Sequence, residues 1–69
     1  MGRKRVGGFI FETLVVDHPP LHVHIFDSRG RPMGKWDIEQ QRPQDPGAFQ
    51  VSRRLRKALY RAGYLKEKP

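Results

Sequence analysis

Hydrophobic and polar positions change period along this chain, and the changes mark out its elements. Phe9-Ile10-Phe11-Glu12-Thr13-Leu14-Val15-Val16 is rich in aromatic and β-branched side chains and predicts a strand. Asp17-His18-Pro19-Pro20 must end it, because two prolines cannot donate to a sheet ladder. Leu21 to Phe26 alternates with period two. That puts Leu21, Val23 and Ile25 on one face of a second strand and His22, His24 and Phe26 on the other. Asp27-Ser28-Arg29-Gly30-Arg31-Pro32 is turn chemistry, with Gly30 available for a positive φ. Met33 to Gln40 reads as a third strand, with Trp36 and Ile38 on a shared face, joined to the second by a hairpin. Gln41-Arg42-Pro43-Gln44 reads as a polar loop.

From Asp45 the period becomes helical. Asp45 suits an N-cap, Pro46 a first helical position, and Gly63 the residue just past the end. At about 100° per residue, Ala48, Val51, Leu55, Ala58, Leu59 and Ala62 form one apolar stripe. Arg53, Lys57 and Arg61, spaced by four, line the opposite side, with Arg54 and Tyr60 flanking them. Tyr64 and Leu65 are expected to fold back onto the core. The fold class expected is α+β, a small three-stranded antiparallel sheet packed by one C-terminal helix in the order β-β-β-α. Residues 1–8 are expected as a basic flexible arm, 9–65 as the single domain and 66–69 as a tail. One helix covers one sheet face, so the histidine face is left to solvent or to a second copy.

Composition narrows the classes. Sixty-nine residues make one small domain with little apolar area to bury. With no cysteine, a disulfide framework and a zinc–thiolate site are excluded, and a reducing compartment fits. No apolar run approaches the ~20 residues that span a bilayer. The apolar stretch behind Arg3-Lys4-Arg5 is interrupted by Glu12 and lacks a small-residue cleavage site, so it is not read as a signal peptide. Val6 breaks the myristoylation pattern that Gly2 begins. A soluble cytoplasmic protein with no membrane role is expected.

The net charge of +7 is uneven. Residues 46–69 hold seven basic side chains and one acid, Glu67, whereas residues 21–45 hold four of each sign. A helix surface usually interleaves Glu with Lys, yet no acid lies between Pro46 and Lys66. Such a local field attracts a polyanion. Nucleic acid, RNA ahead of DNA, is the expected partner, gripped by Arg53, Arg54, Lys57 and Arg61. Tyr60 is a candidate to stack a base, and Arg3, Lys4 and Arg5 could extend the phosphate track. Docking of an acidic protein is the competing reading. Trp36 is expected in the core.

The only histidines of the chain, His18, His22 and His24, fall in one short stretch. Three readings compete. They could be metal ligands, three nitrogens plus water making an open site. His22 and His24 could be the general base and acid of a metal-independent ribonuclease, since imidazole changes charge near neutrality. Or they are structural, exposed, or the seam of a homodimer. No cofactor is expected, and no Gly-rich phosphate loop, nucleophile elbow or metalloprotease helix is present.

The segment Asp17-His18-Pro19-Pro20-Leu21-His22-Val23-His24-Ile25 resembles the signature of the small bacterial proteins grouped as domain of unknown function 4160. Their pattern is close to His-x-Pro-Pro-His-x-His followed by an apolar residue; here the proline pair stands one place earlier. The resemblance implies a toxin-like component of a two-gene, toxin–antitoxin-type system, with a cognate protein partner and an RNA target. It implies no catalytic roles. The β-β-β-α order also looks like that of small ribonuclease toxins of the double-stranded-RNA-binding type, a likeness of fold alone.

Overall fold

The structure, a computed structural model, describes residues 2–13 and 22–69. Strands β1 (Gly2–Val6), β2 (Phe9–Thr13), β3 (His22–Phe26), β4 (Pro32–Asp37) and β5 (Arg42–Pro43) precede one helix, α1 (Arg53–Ala62). The strands lie side by side in chain order and every neighbouring pair is antiparallel. The result is a small α+β-like fold, but the expected three-stranded sheet is overturned: the sheet has five strands.

Both additional strands are at the edges. Residues 2–6, expected as a flexible basic arm, are β1. Gly7 and Gly8 take φ of 60° and 85°, the two positive values that let a two-residue turn follow the twist of an antiparallel pair. The turn runs close to the helix, since a β-carbon on Gly7 would lie 3.1 Å from that of Ala58. The expected polar loop after Gln41 contains β5, which pairs Pro43 with Trp36 and Arg42 with Asp37. An edge strand is where a proline can sit without costing a ladder bond. The third predicted strand stops at Asp37 rather than Gln40. There the Asp37 carboxylate accepts the Gln40 backbone N–H at 2.9 Å and its carbonyl accepts that of Gln41 at 2.8 Å, closing a turn.

The helix begins later than Asp45. Ser52 is its N-cap, its hydroxyl accepting the Leu55 N–H at 3.1 Å. Gly47 has φ 88°, which no α-helix accommodates, and Ala48 is exposed. Phe49 instead lies over Gly34, so close that a β-carbon there would meet its ring at 2.7 Å. The far end is as expected: Gly63 adopts the left-handed conformation and its N–H reaches back to the last turn.

Among the described residues the core cluster lies between α1 and one sheet face. Phe11, Val23, Ile25 and Trp36 meet Leu55, Ala58, Leu59 and Ala62, with Leu65 closing one end. Trp36 is in this core, its indole N–H satisfied by the Tyr64 carbonyl at 3.1 Å. The Gln41 side-chain amide donates to the Ile38 and Tyr64 carbonyls and accepts the Lys66 N–H at 2.8 Å. The chain after the helix is therefore fastened to the β4–β5 turn. No described helix is long and apolar enough to cross a membrane.

Candidate nucleic-acid interface

With Leu55, Ala58, Leu59 and Ala62 turned inward, helical geometry sends Arg53, Lys57 and Tyr60 outward, flanked by Arg56 and Arg61. All five are exposed, Tyr60 by 41%. The helix carries no acid in its first turn or elsewhere along its ten residues. Among the described residues the ion pairs are Arg3–Glu12 at 3.8 Å and Arg31–Asp27 at 2.8 Å, neither of them on α1. Its outer cations are thus not neutralised within the described chain. Arg56 was missing from the sequence-derived set. Its place directly after buried Leu55 puts it about 100° from the core direction, and that spacing was the available signal.

Other predicted cations have different settings. Arg54 leans back toward the sheet, its guanidinium carbon 5.9 Å from the centre of the Phe9 ring. Lys4 shares the helix-facing side of the sheet with its partner Phe11. Its ammonium donates to the Ala62 carbonyl at 3.1 Å and lies 5.1 Å from the centre of the Tyr64 ring. It serves the negative end of the helix. Arg3 and Arg5 alternate with Lys4 and fall on the opposite sheet face.

That opposite face also holds the histidines. His22 and His24 project together as the period-two reading expects, ring centres 5.4 Å apart and inclined at 62°. His24 stands between Glu12 and Lys35 in the register, and His22 beside Asp37. Both rings are half-buried, and the His22 Nδ1 is buried with no hydrogen-bond partner among the described residues. The two rings meet edge to face. The sheet separates them from the cations of α1, so the structure does not bring the two predicted groups into one site. His18 lies outside the described residues. Within those, no three metal-binding side chains cluster.

No protein-family model matches the chain, and no curated protein or solved structure matches it. The resemblance to domain of unknown function 4160 therefore rests on its histidine motif alone.

Proposed function

We propose that this chain is a small, cytoplasmic nucleic-acid-binding protein that grips RNA in preference to DNA through the outer face of α1. One observation carries the reading: five cations, Arg53, Arg54, Arg56, Lys57 and Arg61, on a ten-residue helix with no acid and no ion pair among the described residues. Like charges at i,i+4 along Arg53–Lys57–Arg61 repel by a few tenths of a kcal/mol each. A phosphate backbone relieves that repulsion and releases counterions. Four of the five are arginines, whose planar fork suits bidentate phosphate contact and stacking on unpaired RNA bases. The histidine motif extends the proposal to a toxin-like role beside a cognate protein. The proposal concerns binding by the α1 face; His22 and His24, whose rings meet on the other face of the sheet, are not part of it.

Fluorescence anisotropy with a labelled RNA, titrated across salt, tests the reading. Contact with four to six phosphates gives a slope of log K against log salt of about −3 to −5. Absence of binding at low salt overturns it.

A further inference from the structure

Tyr60 is the one large hydrophobic side chain that stands exposed among the described residues. A single exposed ring on a small domain is ordinary. Its surroundings are not. Tyr60 lines a shallow, open groove with Lys57, Arg61, Lys68 and Pro69. The chain itself builds this groove. Gly63 reverses the direction after the helix, Leu65 is buried, and Gln41 holds the Lys66 N–H. Those anchors return Lys68 and Pro69 to the outer side of α1, beside Tyr60. The walls are then a phenol ring, a proline ring and the aliphatic stems of long cations. Three of the lining side chains are cationic, and Glu67 is not among them. Within the described chain the Tyr60 ring has neither an aromatic partner nor a cation over its face.

An apolar ring face set among cations suits a ligand that is flat and apolar on one part and anionic on the next. We infer that this groove seats one unpaired nucleotide, the base stacked on Tyr60 and its flanking phosphates held by Lys57, Arg61 and Lys68. In a duplex the base faces are covered by their neighbours and the ring has nothing to stack on. A loop, bulge or free end offers both a bare base and adjacent phosphates. The inference rests on the nucleic-acid reading above and narrows it to single-stranded segments. It predicts little base preference, because every base has a π-face.

The test compares the full chain with its Tyr60→Ala, Tyr60→Phe and Lys68→Gln variants, on single-stranded and duplex RNA of equal length. The expected results are tighter binding of the single strand and a loss of about tenfold for Tyr60→Ala on the single strand alone. Tyr60→Phe retains the affinity, and Lys68→Gln lowers the single-strand salt slope by about one. Circular dichroism should show every variant folded, since both residues are exposed. If Tyr60→Ala binds the single strand as well as the parent does, or weakens duplex binding equally, the groove proposal falls while salt-dependent binding still supports the broader reading. A loss with Tyr60→Phe equal to that with alanine also overturns stacking. If the parent chain binds neither RNA, both proposals fall.

Discussion

At the scale of single residues, the turn at Asp27 gives the clearest electrostatic consequence. One carboxylate oxygen accepts the backbone N–H groups of Arg29 and Arg31, each at 2.9 Å, and the other accepts the Arg31 Nε at 2.8 Å. These contacts hold the Asp27 carboxyl below the usual aspartate range. The Arg31 backbone N–H is the largest cause; partial desolvation opposes it, and the Arg31 guanidinium and Arg29 N–H add to it. The folded state therefore favours the ionised form. The stabilisation is present above the unfolded aspartate value of about 3.9 and is lost as pH falls through the lower folded value. Carbon-detected NMR should find the Asp27 titration midpoint below that of an ordinary aspartate, and Arg31→Ala should raise it only in part, because the backbone donors remain. An ordinary midpoint in the parent chain would show that the turn does not hold the carboxylate. Gly30 closes the same turn with its N–H on the Asp27 carbonyl at 2.9 Å and φ 82°, which is why Asp-x-x-Gly could be read as a turn from sequence.

Elements are held at their ends by side chains from elsewhere, and α1 shows both kinds of cap. Ser52 caps the N-terminus from within the local sequence, whereas Lys4 reaches the C-terminal carbonyl of Ala62 from 58 positions away. Ser52→Ala should cost about 1 kcal/mol. Lys4→Met, which keeps the stem over Tyr64 but removes the donor and the charge, should cost about 1 kcal/mol as well. The two act at opposite ends and should add in urea denaturation midpoints. An unchanged midpoint for Lys4→Met would mean that this contact does not fasten β1 to the helix. The same element shows what can be read without coordinates. The stripe from Leu55 to Ala62 and the stop at Gly63 follow from a 3.6-residue period and one glycine. The start does not: Asp45-Pro46 is good capping chemistry, and Ala48 and Val51 continue the period. What overrides them is tertiary, the positive φ of Gly47 and the packing of Phe49 over Gly34. β1 was hidden because charged residues at Arg3, Lys4 and Arg5 leave no apolar alternation, although Gly7-Gly8 is a two-residue hairpin signal. The outward row of Arg53, Lys57 and Arg61 was legible because exposure is the complement of the buried stripe. Lys68 was not, since nothing local in a four-residue tail shows that it returns to the helix.

Over the whole molecule, positive charge lies on two opposed sides, and they differ in balance. On the sheet side Arg5, Lys35 and Arg42 share their face with Glu12 and Asp37. On the helix side stand Arg53, Arg56, Lys57, Arg61 and Lys68, and among the described residues neither α1 nor the groove beside Tyr60 contributes an acidic side chain. The shortest dimension of the fold is 23 Å, against a screening length of about 8 Å at physiological salt. A polyanion on the helix side therefore feels little of the sheet side under those conditions. Two triple variants, each removing three charges from exposed positions, separate the sides. Replacing Arg53, Lys57 and Arg61 by Gln should lower the magnitude of the salt slope by about 2 to 3 and weaken RNA binding at every salt concentration. Replacing Arg5, Lys35 and Arg42 by Gln should leave the slope and the physiological-salt affinity where they were. In dilute buffer, where the screening length grows to about 30 Å, the second triple should begin to slow association through the long-range field. Equal loss of slope in both triples would mean that the strand wraps both faces, and the helix could then no longer be treated as the whole interface.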